Sequence, residues 1–270
     1  VERAAALLDS PPLLVASDFD GTLAYVQPDP WAARIHAPSQ RALRRLAVTP
    51  GIRVVLFSGR TASDLAGRTR IGGVTYLGDH GVERADVARG FRPRMMRVAM
   101  VPAPERERGL AERLAEAVPR DVPERWLVVE RKSAAVAFHF RTAPDVDEAG
   151  TRIRAAIDHH DPDRILERHL GRRAIELRPP SASTKAVAMT TIVDELRPGA
   201  VLILGDGLDD AAAFRALATV RERSGIELLR VAVAGQPDVT AHVAPHADWV
   251  LDSPREVGRL LAALVDHRHR

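Results

Sequence analysis

Three short apolar runs, each stopping at a polar or glycine-bearing turn, constrain this chain most. Leu13 to Ser17 stops at Asp18, Arg53 to Ser58 leads into Ser58-Gly59-Arg60, and Val74 to Leu77 stops at Gly78-Asp79-His80-Gly81. Ser39 to Leu46, between the first two runs, has helical spacing. Short buried strands alternating with helices imply a parallel sheet with helices on its faces. Such sheets hold ligands at the carboxyl ends of their strands, and all three runs end in suitable residues there.

The middle of the chain has a different rhythm. Glu105 to Ala117 and Val146 to His159 read as helices, and Trp126 to Glu130, Ala134 to Phe140 and Ala174 to Leu177 as strands. This is a small α+β unit, with Pro102, Pro104, Pro179 and Pro180 near its ends, where linkers are expected. The last segment returns to the first style. Helices are expected at Ser183 to Leu196, Asp209 to Ala218 and Pro254 to Val265, with strands at Val201 to Leu204 and Leu229 to Ala234. The expectation is a parallel α/β core formed by residues 1–98 and 181–270, interrupted by an inserted unit at 99–180. The terminal Asp266 to Arg270 reads as a frayed tail.

Composition removes several classes. A chain of 270 residues has room for one large or two modest cores. It contains no cysteine, so disulfides and thiolate metal sites are excluded. No apolar run reaches the roughly 20 residues of a membrane span, and Val1 to Ser10 does not resemble a secretory signal. A soluble cytoplasmic protein is therefore expected, with no membrane partner. The net charge is +3, and no dense basic block interleaved with aromatics points to nucleic acid. No feature names a protein partner. Of 39 basic residues only Lys132 and Lys185 are lysine, and asparagine is absent. In a chain so biased towards arginine, a retained lysine marks a place for a compact point charge rather than a planar fork.

Asp18-Phe19-Asp20-Gly21-Thr22 follows the first strand. Two carboxylates two residues apart, with glycine next, can converge on a small polyanion and a metal. A calcium-binding loop also opens Asp-x-Asp but needs glycine at its sixth position and glutamate at its twelfth; Leu23 and Asp29 stand there. The sequence resembles the first motif of the haloacid dehalogenase superfamily of phosphotransferases. Ser58 fits that superfamily's second motif, Lys185 its third, and Leu204-Gly205-Asp206-Gly207-Leu208-Asp209-Asp210 its acidic fourth, in the right order. The resemblance implies a Rossmann-like core with an inserted α+β cap. It also implies that Asp18 is a nucleophile forming an aspartyl-phosphate and that Asp20 is general acid, then general base. Ser58, Gly59 and Lys185 would hold the phosphate. Magnesium would bind Asp18, the Asp20 carbonyl and Asp206, with Asp209 or Asp210 in support.

Within that superfamily the chain resembles the trehalose-6-phosphate phosphatases. The residues that carry this are Gly78-Asp79-His80-Gly81, the stretch from Val129-Glu130-Arg131-Lys132-Ser133 through Phe138-His139-Phe140-Arg141, Ile175-Glu176-Leu177-Arg178-Pro179 and Thr184-Lys185. The resemblance implies that Glu130, Lys132 and Glu176 grip sugar hydroxyls, with Arg141, Arg178 and His80 as further candidates. Two departures stand out. Asp79 occupies a position usually held by Asn or Ser. The fourth motif, usually Gly-Asp-Asp-x-Thr-Asp-Glu, has Gly207 and Asp209 in place of its second Asp and its Thr. The implied activity is hydrolysis of trehalose 6-phosphate. The alternatives are a phosphatase for a trehalose-like pseudodisaccharide phosphate or other phosphosugar, and a non-catalytic sugar-phosphate-binding partner of a trehalose-phosphate synthase. His139 is expected to alternate along a strand, His159 and His160 to be solvated, and Trp31, Trp126 and Trp249 to serve packing.

Overall fold

The computed structural model describes every residue except 1, 28, 91–95, 101–104, 133–134, 172, 181–183, 236 and 269–270. Pro102, Pro104, Ser133, Ala134 and Ser183, which the sequence reading used, lie outside the described residues. The chain divides into two compact units, Val1–Met100 with Ser183–Arg270, and Val101–Ala182.

The first unit runs α1 (Glu2–Ala6), β1 (Leu13–Asp18), α2 (Ala37–Leu46), β2 (Ile52–Phe57), α3 (Ala62–Thr69), β3 (Val74–Gly78), β4 (Glu83–Val87) and β5 (Ala99–Met100). The second holds α4 (Glu105–Asp121), β6 (Val128–Arg131), β7 (Val136–His139), α5 (Val146–His160), β8 (Glu167–Gly171) and β9 (Ala174–Arg178). The chain returns to the first with α6 (Lys185–Leu196), β10 (Ala200–Gly205), α7 (Leu208–Ser224), β11 (Glu227–Val233), α8 (Pro237–Val243), β12 (Trp249–Leu251) and α9 (Pro254–Arg268).

The large sheet has the order β12-β11-β10-β1-β2-β3-β4-β5. It is parallel from β12 to β3, and β4 and β5 add antiparallel edges. Strand alternation explains why both faces are covered. Leu13 and Val15 of β1 join a cluster with Leu43 and Leu46 of α2, Leu65 of α3 and Leu261 of α9. Leu14 and Ala16 point the other way, into a cluster with Met189 and Ile192 of α6 and Phe214 and Leu217 of α7. A strand buried on both faces must be apolar throughout, which is why β1 reads as a continuous apolar run. Helix starts are marked by side-chain caps: Thr61 accepts from Asp64 N at 3.2 Å and Thr184 from Val187 N at 3.2 Å. The second cap places Lys185 in the first turn of α6.

In the second unit the sheet order is β6-β7-β9-β8, antiparallel throughout. One face is apolar: Val136, Phe138, Ile175 and Leu177 pack on Leu114 and Val118 of α4 and Ile153 and Ile157 of α5. The same alternation leaves Glu130, Ala137, His139 and Glu176 on the opposite face.

Several expectations need correction. The tail is not frayed through Arg268: α9 continues to that residue, with Asp266 3.9 Å from Arg45. α7 runs past Ala218 to Ser224, where Gly225 (φ 73°) supplies the left-handed residue that ends it. α4 runs past Ala117 to Asp121, with Pro119 in its last turn. β4 and β8 were not anticipated; their ERADV and ERHLG sequences lack a clean apolar alternation, and pairing with β3 and β9 makes them strands. Trp31 does not serve core packing: it is 49% exposed, and the Arg68 guanidinium lies 5.9 Å from its ring centroid. Trp126 and Trp249 do pack against the cores of their units.

Candidate active site

From β1 the large sheet grows through β2 and β3 on one side and through β10, β11 and β12 on the other. The strand order therefore reverses between β1 and β10, and the crevice at such a switch point, beyond the strands' carboxyl ends, is where open α/β sheets bind ligands. β1 ends there with Asp18, paired in register with Phe57, so that Ser58 lies just beyond on β2. β10 ends with Gly205, so Asp206 follows at the same edge.

Asp18 is buried, and Lys185 Nζ donates to its Oδ1 at 2.6 Å. The same ammonium donates to Asp210 Oδ1 at 2.7 Å. The other Asp210 oxygen accepts from the backbone N–H groups of Asp206 (3.0 Å) and Gly207 (2.8 Å), capping α7 while orienting its own carboxylate. Asp210 thus fixes both the lysine and the loop that carries Asp206. Gly21 (φ 80°) is obligatory in the turn after Asp20, because a Cβ there would fall 1.9 Å from Asp206 Oδ2.

These carboxylates perturb one another. Burial, then the charges of Asp210 and Asp206, push the Asp18 pKa up despite the opposing pull of Lys185. Burial and Asp210 push Asp206 up to about 8, Lys185 again opposing. Burial disfavours the Lys185 charge, but Asp18 and Asp210 outweigh it and raise its pKa. Ligand oxygens of Asp18, Asp206 and Asp210 all lie within 4.8 Å of one another. Once ionised, three carboxylates against one ammonium leave two negative charges, so this oxygen-only set suits a hard divalent cation. Asp18 and Asp206 are the better ligands of the three, since both Asp210 oxygens are already engaged.

Asp20 is not part of that buried group. Its carboxylate is 39% exposed and is held by Arg60, whose Nε donates to Oδ2 at 2.7 Å and Nη2 to Oδ1 at 2.8 Å. Ser58 is buried, and its Oγ accepts from Arg60 N at 3.1 Å, which leaves its O–H for another acceptor. The loop after β3 closes on this turn: Asp79 N donates to Arg60 O (2.7 Å) and His80 N to Ser58 O (3.0 Å). Asp79 and His80 are held with φ of 47° and 56°, a backbone region that non-glycine residues seldom occupy. His80 Nδ1 lies 2.9 Å from Asp209 Oδ2, and its ring lies so close to Gly59 that a Cβ there would be 2.5 Å from Nε2. A side chain at position 59 would therefore have to displace the His80 ring.

The second unit gathers the remaining candidates on the polar face of its sheet. Ala137 stands between Glu130 on β6 and Glu176 on β9, each directly opposite it. Lys132 Nζ donates to Glu176 Oε1, and Arg178 Nη2 donates to Oε2 at 2.9 Å. The Lys132 side chain is only 4% exposed. His139 Nε2 lies 2.8 Å from Glu130 Oε2, so His139 belongs to this cluster as well as alternating along its strand. Arg141 follows β7 in the turn beyond His139. His160, expected to be solvated, lies 2.8 Å from Asp121.

Sequence reasoning passed over Arg60 and His139. Arg60 directly follows the Ser-Gly of the second motif, yet nothing local links it to a residue 40 positions away. His139 could have been found from register, because two residues after Ala137 on a two-residue repeat return to the face of Glu130.

Among the described residues no helix is long and apolar enough to cross a membrane. Residues 16–247 match the profile of the trehalose-phosphatase family. The trehalose-phosphate phosphatase of Mycolicibacterium paratuberculosis is 32% identical over 265 residues, covering 94% of this chain and 62% of that protein. The chain thus spans about three fifths of the length of the curated trehalose-phosphate phosphatases it matches. Among solved structures, the C-terminal domain of trehalose-6-phosphate phosphatase from Candida albicans superposes with a TM-score of 0.79 at 22% identity, covering 98% of this chain and 97% of that one. The C-terminal domain of the Candida albicans trehalose synthase regulatory protein gives 0.66 at 14%, covering 96% and 97%. At such low identity the two structures speak for the fold alone: an α/β core of the haloacid dehalogenase type with an α+β insertion. The match along most of the sequence goes further, and by it the chain belongs to the trehalose-phosphatase family.

Proposed function

We propose that this chain hydrolyses trehalose 6-phosphate to trehalose and phosphate through an aspartyl-phosphate on Asp18. The observation that carries the reading is the arrangement around Asp18: a buried carboxylate at a strand end, one oxygen held by Lys185, with a second, half-exposed carboxylate two residues on. Asp18 attacks phosphorus through the oxygen that Lys185 leaves open. The Lys185 ammonium, the Ser58 hydroxyl and the Gly59 turn steady the phosphate oxygens. As the bond from phosphorus to the sugar oxygen breaks, Asp20 delivers a proton to that oxygen. Water then attacks the aspartyl-phosphate, its proton passes to Asp20, and the bond from phosphorus to Asp18 breaks. Magnesium held by Asp18, Asp206 and the Asp20 carbonyl, with Asp209 and Asp210 in support, would neutralise charge on the phosphoryl group.

For the sugar, we assign Glu130, Lys132, Glu176 and Arg178, with Arg141 and His80 as further contacts and His139 as the residue that orients Glu130. Carboxylates accept from hydroxyls, whereas ammonium and guanidinium groups donate to them. The test is phosphate release from trehalose 6-phosphate, sucrose 6-phosphate, glucose 6-phosphate and a pseudodisaccharide phosphate, with magnesium present or chelated and Asp18→Asn as control. Preference for trehalose 6-phosphate, lost on chelation and in the variant, is the expected result. Preference for another sugar would keep the mechanism and change the substrate. No magnesium-dependent release from any of them would remove the proposed activity.

A further inference from the structure

Arg60 has no task in the reaction described so far, yet two carboxylates hold it at the site. Its side chain is buried to 8% exposure. Two of its donors, Nε and Nη2, take the two oxygens of Asp20 at 2.7 and 2.8 Å. Nη1 donates to Asp64 Oδ2 at 3.1 Å, in the first turn of α3. Asp64 is gripped in turn by Arg68 Nε at 2.6 Å, and Arg68 Nη1 reaches the carbonyls of Trp31 (3.0 Å) and Ala33 (2.9 Å). The guanidinium carbon also lies 5.6 Å from the ring centroid of Phe19, the fully buried residue between the two motif aspartates. The backbone is fixed as well, through Arg60 N to Ser58 Oγ and Asp79 N to Arg60 O.

This chain of alternating charges runs from Asp20 through Arg60, Asp64 and Arg68 to the loop at Trp31. Its effect at the Asp20 end is geometric. A carboxylate 39% exposed on a turn is free to sample several rotamers, whereas a two-pronged fork holds both its torsion and the plane of its oxygens. Proton delivery depends on such alignment, because a donor misplaced by about an ångström can lose about 10²-fold in rate. We propose that Arg60 is the positioning residue of Asp20: its fork sets the rotamer from which Asp20 gives a proton to the leaving sugar oxygen and later takes one from water. The proposal rests on the reading of Asp20 as the acid and base. During the first step one Asp20 oxygen leaves Nη2 to reach the sugar oxygen, while Nε keeps the other. Electrons of the broken phosphorus–oxygen bond remain on the sugar oxygen, which takes the Asp20 proton. Asp20 regains a proton from the attacking water.

The leaving group separates this role from a merely structural one. A nitrophenolate departs without a proton, whereas a sugar alkoxide does not. Arg60→Ala, Arg60→Lys and Asp64→Asn are compared with Asp20→Asn on trehalose 6-phosphate and on p-nitrophenyl phosphate, with circular dichroism as the folding check. In Arg60→Ala, kcat on trehalose 6-phosphate falls about 10²-fold, within the range for lost general acid–base catalysis, while KM moves less than about threefold. The nitrophenol burst keeps its rate, and turnover after the burst slows because Asp20 no longer prepares water well. Arg60→Lys recovers part of the loss, since an ammonium cannot hold both oxygens in one plane. Asp64→Asn, which only loosens the arginine, gives a smaller loss in the same direction, and with Arg60→Lys it decides the case if Arg60→Ala does not fold. A loss shared between kcat and KM, or an unchanged kcat on the sugar phosphate, overturns the proposal; so does an equal fall in the burst. If Asp20→Asn shows the leaving-group dependence and the Arg60 variants do not, only the positioning role fails. If Asp20→Asn lacks it too, the acid–base reading fails first.

Discussion

The two lysines of this chain occupy opposite electrostatic settings. Lys185 faces Asp18 and Asp210 with Asp206 close by, three buried or half-buried carboxylates against one ammonium. Lys132 and Arg178 share the two oxygens of Glu176, and Glu130 has His139, so carboxylates and cationic or imidazole groups are matched. The pKa directions follow. Burial and mutual repulsion raise Asp18 and Asp206. Burial also works against the Glu130 charge, but the His139 bond and the Lys132 charge outweigh it and lower its pKa. With all three carboxylates ionised, the charge of the core group is unfinished, which suits the divalent cation proposed there. The charge-matched face in the other unit suits a neutral, hydroxyl-rich group instead. Both lysines are almost fully enclosed, at 7% and 4% exposure, where a larger planar guanidinium would not fit the same space.

This contrast breaks most readily at Lys185. Lys185→Met leaves Asp18 and Asp210 facing each other unpaired. Activity on any phosphate ester is expected to fall about 10³-fold, the upper range for removing one preorganised donor. Stability should fall by about 3–5 kcal/mol, as for one partner lost from a buried pair. Lys132→Arg tests the other side. KM for trehalose 6-phosphate is expected to rise about tenfold, the equivalent of about 1.4 kcal/mol, with p-nitrophenyl phosphate turnover unchanged. Equal losses on both substrates in both variants would erase the distinction between the two sites.

The unfinished charge of the core predicts a pH-dependent response to metal. Without metal, Asp206 is pushed up to about 8, above its ordinary value of 3.8. Between those values the folded protein holds a proton that the unfolded chain does not, so metal-free stability falls as pH rises through that window. A cation competes with that proton, so it binds better as pH rises. Saturating magnesium is expected to raise Tm by about 5–10 °C at pH 8, from a binding contribution of about 2.7 kcal/mol at a hundredfold excess over Kd, and by clearly less at pH 5.5. Asp206→Asn should remove the difference between the two pH values. A magnesium shift equal at both would show that the carboxylates are not the ligands.

Much of the core was legible because its chemistry is written in contiguous stretches. Asp18 and Asp20 sit in one turn, Ser58 and Asp206 each follow an apolar run, and Lys185 follows the Thr184 cap; a parallel sheet brings the ends of such runs together whatever the intervening sequence. What the linear pattern could not show were contacts set by side-chain reach. Arg60 meets Asp20 across 40 residues, and His80 meets Asp209 through a backbone bend that no residue type in Gly78-Asp79-His80-Gly81 announces at Asp79 or His80. In the inserted unit the strands at 128–131 and 174–178 were legible from alternation, but β8 was not. Its polar ERHLG sequence is made a strand by the edge of β9, a non-local cause. Trp31 was misread for a related reason: a large aromatic usually packs, and only the three-dimensional path of its loop reveals it resting on Arg68 instead.

The finest test of the contrast is the Glu130–His139 pair, where the matched face should show a small, pH-limited coupling. Glu130 has a lowered folded pKa against an ordinary value of 4.5, so its stabilising contribution is present above the unfolded value and is lost as pH falls through the folded one. Thermal or denaturant unfolding of Glu130→Gln, His139→Phe and the double variant at pH 7 is expected to give a coupling of about 0.5–1.5 kcal/mol. Repeating the cycle near pH 3 should reduce it towards zero, while contributions from carboxylates elsewhere cancel between the four proteins. A coupling that persists in acid would mean that packing against Ala137 and Ala174, rather than charge, holds the pair together. The polar face would then be a steric platform, and its charge matching would lose its bearing on which ligand it takes.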